Sequence, residues 1–288
     1  MARRTRSDSL GREKTSEFTR GLGRAFGGAV LFAFPLLMTM EMWQIGFSMD
    51  RMRLALFIVA TLPLLFGLSY YSGFERTVTR AEDAADAITA LGVGLITSAL
   101  MLGLFGIVTF DMPLSEAIGK IGLQGVPASI GAMVASKQFH AGENAEGSED
   151  SASTREARAS YAGELFLMMA GALFVAFNVA PTEEIVLIAY TMTPWHALAL
   201  AAASILVLHI FVYEVGFAGQ ESRPDYAGFW LTLFHFTIAG YGIALLISLY
   251  VLWTFERTVG LGSTDITMMV VVLSFPAALG AATARLIV

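Results

Sequence analysis

The 288 residues contain no cysteine. Disulfides, thiolate metal sites and thiol redox chemistry are therefore excluded, leaving oxygen and imidazole as the side-chain ligand types. Charge is scarce as well: 15% of residues are Asp, Glu, Lys or Arg against 56% that are apolar, and the mean hydropathy is +0.65. So little charge cannot cover the surface of a soluble domain, and the composition predicts an integral membrane protein. No glycine-rich phosphate loop, HExxH metalloprotease pattern or GxSxG nucleophile elbow occurs. Nor does the amino terminus read as a cleavable signal peptide. Residues 1–24 hold seven Lys or Arg and three acids, and the first apolar run begins only near Ala25. This stretch reads as a basic, irregular cytoplasmic tail.

What the chain does have is long apolar runs, at 25–47, 52–73, 85–110, 114–136, 161–190, 195–217, 228–255 and 265–288. At ~1.5 Å per residue each is long enough to cross a hydrocarbon core of ~30 Å as a helix. A polar segment at 137–160, rich in Gly, Ser, Glu and Ala, interrupts the series and reads as a mobile linker. With the amino terminus inside, fourteen of the 18 Lys and Arg residues lie on the inner side, and only Arg51, Arg53, Lys120 and Arg257 lie outside. That bias predicts a plasma-membrane protein, in a bacterium the inner membrane, with both termini cytoplasmic.

The two halves resemble each other. FAFPLLMTMEMW at 32–43 aligns with VAFNVAPTEEIV at 175–186, an offset of 143, so that Thr39 meets Thr182 and Glu41 meets Glu184. The same offset places LSYYSGF at 68–74 on FVYEVGF at 211–217, and VPASIG at 126–131 matches FPAALG at 275–280 with a small gap. The predicted fold is all-α and polytopic, about eight transmembrane helices in two tandem four-helix repeats at 25–136 and 161–288. An even number of spans per repeat makes the copies parallel, related by an axis along the membrane normal.

Glu183 and Glu184 lie inside an otherwise apolar run, and an ionised side chain in the bilayer costs at least ~3 kcal/mol, so such residues usually face a cavity or a partner. Pro181 cannot donate to the carbonyl of Phe177, which predicts a break beside them. A parallel repeat could set Glu41 and Glu184 facing each other at the repeat interface. Two facing carboxylates suit a hard cation or a shared proton, and Thr39, Thr182, Glu183 and Gln44 are the further candidate ligands, Gln44 lying three residues after Glu41 on one helical face. The alternative is that Glu41 and Glu184 are solvated at the interface. The implied ion is Ca²⁺, Na⁺, K⁺ or H⁺, and no other cofactor is expected.

Elsewhere the acids have local explanations. Ser115-Glu116 and Thr264-Asp265 open the last helix of each repeat, as helix caps do, and Lys120 stands at i+4 from Glu116. His209, Tyr213 and Glu214, with His235 further on, form a possible inward proton relay, although a lone histidine in a membrane helix more often hydrogen-bonds a neighbour. Gly119, Gly122, Gly125 and Gly131 in one repeat, and Gly280, Ala281, Ala282 and Ala284 in the other, offer small-residue faces for close helix packing, between repeats or in a homo-oligomer. Pro127 and Pro276, at matching positions, are expected to bend these helices.

The tandem arrangement together with FPLLMTMEMW and APTEEIVLIAYTM resembles a bacterial family of integral membrane proteins of unknown function, over most of residues 25–288. The resemblance implies the membrane class and no activity. The residues themselves favour a non-enzymatic cation transporter or channel acting between the lipid bilayer and an inorganic cation, with no nucleic-acid partner. A sensor or assembly protein with the helices as anchor is the alternative, and a lipid enzyme a third reading, thinly supported by four scattered histidines.

Overall fold

The computed structural model describes residues 2–72, 80–141, 161–214 and 233–287, and among them every regular element is helical. In chain order these are α1 (Ala2–Leu37), α2 (Met40–Ser48), α3 (Arg51–Ser72), α4 (Arg80–Leu104), α5 (Leu114–Ala141), α6 (Tyr161–Val179), α7 (Glu183–Thr191), α8 (Pro194–Glu214), a π-helical turn (Leu233–Ile238), α9 (Ala239–Thr254) and α10 (Ser263–Ile287). Seven of the described helices are long and apolar enough to span a membrane, and α1 with α2 makes an eighth if that bent pair is one span. The class predicted from composition is the class observed.

Three boundaries differ from the sequence expectation. The basic stretch is not irregular: α1 is helical from Ala2, in keeping with the helix propensity of its Arg, Glu, Lys and Leu residues. α5 runs on to Ala141, so the first residues assigned to the linker are helical, while 142–160 lie outside the described residues. Most consequential, the run at 25–47 is not one helix but breaks after Leu37, with a bend of 88°. The break expected near Pro181 is present: α6 stops at Val179 and α7 starts at Glu183. Pro127 and Pro276 both lie inside continuous helices.

The two short helices are nine residues each, and they begin at Met40 and Glu183, 143 positions apart. The spans that follow them begin at Arg51 and Pro194, again 143 apart.

Two compact units can be distinguished, the first formed by 1–39 and 58–147, the second by 40–57 and 148–288. In the first, α5 packs along α1 and α4 and has the driest surface of any helix, with Leu123, Val126, Ala128, Ala132 and Met133 fully buried. The small residues expected to join repeats work inside this unit: a Cβ on Gly131 would overlap Phe32 and the carbonyl of Gly28. In the second, α10 packs on α6, α9, α8 and α7. Here Gly280 and Gly171 meet backbone to backbone, since a Cβ on either would overlap the carbonyl of the other. Phe57, Phe177 and Phe255, all buried, form a ring cluster beneath the break of α6, with centroids 5.2 Å apart for Phe57 and Phe177 and 6.0 Å apart for Phe177 and Phe255.

Candidate functional site

Both breaks close in the same way. Thr39 donates its hydroxyl to the carbonyl of Leu36 at 2.8 Å, and Thr182 donates its own to Val179 at 2.9 Å, each three residues back. Each of these carbonyls also accepts the threonine's own N–H, at 3.2 Å for Leu36 and 3.1 Å for Val179, so the short hydroxyl side chain closes the turn as a second donor. The two threonines are first of all terminators, and only their oxygen lone pairs remain for a ligand. Glu41 then falls in the first turn of α2, and Glu183 and Glu184 in the first turn of α7, where backbone N–H groups favour negative charge.

The carboxylates have different surroundings. Glu183 is committed: its Oε1 accepts from Arg257 Nη1 at 2.8 Å, and Arg257 Nη2 donates to the carbonyl of Pro181. One guanidinium therefore ties the end of α6 to the start of α7. Glu184 is exposed, and its own backbone N–H, aided by the Thr182 hydroxyl, holds its carboxyl below the usual carboxylate range. It stays ionised at neutral pH and free to meet a cation. Glu41 is half-buried, and Gln44, one turn on, is exposed.

Arg257 owes its position to the way α9 ends. Arg257 N–H donates to the Leu252 carbonyl at 2.9 Å and Glu256 N–H to Trp253 at 3.2 Å, with Glu256 at φ 62°. This is the left-handed helix terminus that glycine usually provides. α4 ends in the same pattern, with Gly106 at φ 70° and bonds from Ile107 to Leu102 and from Gly106 to Gly103. A glutamate in that conformation is strained by about 1 kcal/mol. What holds it is its carboxylate, which accepts the backbone N–H of Asp50 at 3.0 Å, while Asp50 Oδ1 caps α3 through Met52 and Arg53. Arg53 in turn donates to the Trp253 carbonyl at 2.9 Å and lies 5.1 Å over the Trp253 ring. The strained turn is fastened from both sides.

Removing Arg257 should therefore cost more than removing its acidic partner. The Glu183 side chain is 67% exposed, so its ion pair contributes about 0–1 kcal/mol. The bond to the Pro181 carbonyl has no such substitute, and losing it costs about 1–3 kcal/mol. Arg257→Ala is expected to lower Tm clearly more than Glu183→Gln, as read by thermal unfolding of the purified protein at low and high salt. Equal losses that vanish together in high salt would show the ion pair alone to matter.

Of the other predicted residues, Lys120, Glu116 and His209 have described surroundings. Lys120 Nζ sits 2.6 Å from Glu116 Oε1, the i, i+4 partner expected. His209 Nδ1 lies 2.9 Å from Thr237 Oγ1 in the π-helical turn. The side chains of Tyr213, Glu214 and His235 lie outside the described residues. No group of three or more His, Asp or Glu able to hold a metal ion occurs among the described residues. Sequence reading missed Arg257 and the buried polar atoms of α4 and α5, where Thr97, Ser98 and Gln124 are all at 0% exposure. The available signal for the latter was a glutamine and two adjacent hydroxyls in apolar helices.

No curated protein and no solved structure matches the chain significantly. A family match does exist and covers nearly all of the described residues: the chain belongs, over residues 21–288, to the family described as "Putative integral membrane protein (DUF2391)".

Proposed function

We propose that this integral membrane protein moves a cation across the bilayer, as a transporter or channel, and that Glu41 and Glu184 are the carboxylates that first receive the ion. The observation that carries this reading is the pair of helix breaks: α1 and α6 are each followed by a nine-residue helix with an acid in its first turn, and both short helices belong to one compact unit although they stand 143 positions apart. Broken helices with free carbonyls and acids at the break are how membrane proteins offer oxygen ligands to ions without exposing backbone to lipid. Glu183, engaged by Arg257, supports the fold of the site, and Thr182 and Gln44 supply neutral oxygens around it. The common offset of the short helices also supports two tandem repeats.

The test is cation flux into proteoliposomes for the native protein and for Glu41→Gln and Glu184→Gln. Native flux above that of empty vesicles, lost in the variants, is the expected result.

The same reading places both termini in the cytoplasm of a bacterial cell, with the breaks on the outer side. In this cysteine-free chain, Val259→Cys and Phe110→Cys, both exposed, should react with an impermeant thiol reagent on intact cells, and Ala81→Cys only after permeabilisation. Labelling of position 81 from outside would reverse the orientation.

A further inference from the structure

Hydroxyl side chains in the membrane helices of this protein have a standard solution: Thr89, Ser129, Ser204 and Thr254 each donate to a carbonyl three or four residues back, at 2.6–2.8 Å. Ser248 in α9 departs from it singly, and Thr97 and Ser98 in α4 depart from it side by side. Both are fully buried, and neither oxygen has a hydrogen-bond partner. Gln124 in α5 is also fully buried, and both its Oε1 and its Nε2 lack partners. Polar atoms left so inside a membrane protein are costly, and a set of them on two adjoining helices requires a common explanation.

The helix register brings them to one level. A Cβ on Gly94 would lie 2.5 Å from the Gly125 carbonyl and 2.5 Å from the Ser129 nitrogen, and one on Gly125 would meet Leu95. α4 and α5 are thus in backbone contact and antiparallel there. One turn further along α4 come Thr97 and Ser98; on α5, Gln124 immediately precedes Gly125. Pro127 adds a fourth oxygen, because it has no N–H for the carbonyl of Leu123, which is buried in the same turn.

We propose that Thr97, Ser98, Gln124 and the Leu123 carbonyl form a binding site for a monovalent alkali cation inside the first unit. Every oxygen in the set is neutral. Divalent cations are bound tightly where carboxylates contribute charge, whereas Na⁺ and K⁺ can be held by neutral hydroxyl, amide and backbone oxygens. The nearest charges, Lys120 and Glu116 one and two turns before Gln124, neutralise each other at 2.6 Å and leave no net charge to attract an anion. The site stands on its own geometry; that its ion is the one transported rests on the transport reading, whose substrate class it then specifies.

Purified protein in lipid nanodiscs is melted in NaCl, KCl, CaCl₂ and choline chloride at equal ionic strength. The expected result is that Na⁺ or K⁺, but not Ca²⁺, raises Tm over choline, by roughly 5 °C when the ion is about a hundredfold above its dissociation constant. Gln124→Leu should abolish that shift while raising Tm in choline, since it removes two unpaired atoms at nearly constant volume. Thr97→Val should weaken the shift and is the check if Gln124→Leu fails to fold. A Tm in the native protein that does not distinguish Na⁺ and K⁺ from choline would mean hydration only and overturn the site. So would an alkali shift that survives both substitutions. Flux that depends on Glu41 and Glu184 without any alkali shift would remove this site and leave transport standing; the converse would keep the site and remove transport.

Discussion

Gly280→Leu is expected to destabilise the second unit strongly. α6 and α10 touch there through backbone, with a Cβ at Gly280 overlapping the Gly171 carbonyl and the Val175 side chain, and a Cβ at Gly171 overlapping the Gly280 carbonyl and Ala284. In lipid no hydrophobic force holds two helices together, so close packing of small residues is the main attraction between them. A backbone carbonyl cannot rotate away as a side-chain end can. Overpacking of an ordinary core costs about 1–3 kcal/mol, and a substitution that must separate two helices belongs at or above the top of that range, a fall of roughly 6–12 °C in Tm. Even Gly280→Ala should destabilise. Gly242 in α9 is the control: a Cβ there meets nothing within 4 Å, so Gly242→Ala should stabilise by about 0.5–1 kcal/mol through helix propensity. A Gly280→Ala protein that melts with the native one would disprove the contact.

The second large effect is expected on flux. Glu41→Gln and Glu184→Gln each remove a charge from the proposed receiving site while keeping its shape, and a charge-assisted interaction of about 1.5–3 kcal/mol corresponds to a loss of roughly tenfold to a hundredfold. The double replacement should add little, because residues that serve one ion are not additive. Glu183→Gln tests the division of labour seen around Arg257: its carboxylate faces a guanidinium at 2.8 Å, so flux should survive its loss. The pH response should follow Glu184, whose carboxyl is held low by its own N–H and by Thr182, so protons compete for that oxygen only in acid, below the ordinary glutamate range. Retention of flux and selectivity in both single variants would place the receiving site elsewhere.

Several features of this protein are local and were readable as such. Apolar content set the class, run length set the spans, Pro181 set one break, and Lys120 at four residues from Glu116 set one ion pair. Each depends on covalent neighbours or on transfer from water to lipid, and neither needs a fold. The break after Leu37 was harder, since Pro35 sits inside the helix and the helix ends two residues later, where Thr39 turns its hydroxyl onto Leu36. Sequence supplied the residues of that turn but not the geometry in which the Leu36 carbonyl takes both the hydroxyl and the N–H of Thr39.

Tertiary structure decided which partner each polar group meets. Glu183 reads as a possible ion ligand until Arg257, 74 positions away, comes to bond both it and the Pro181 carbonyl. His209 was read with Tyr213, whose side chain lies outside the described residues, and the structure sets it 2.9 Å from Thr237, 28 positions on. The glycine faces of α5 and α10 carry no record of which helix they approach, yet Gly131 lies against Gly28 and Gly280 against Gly171, each within its own unit. Gln124 looks like any polar residue in a membrane helix until packing buries it with neither of its polar atoms partnered. The physical reason is common to all four: periodicity and composition encode how strongly a side chain avoids lipid or water, a property of one residue. A hydrogen bond or a backbone contact is a property of two, and only the packing of distant helices brings the second one within reach.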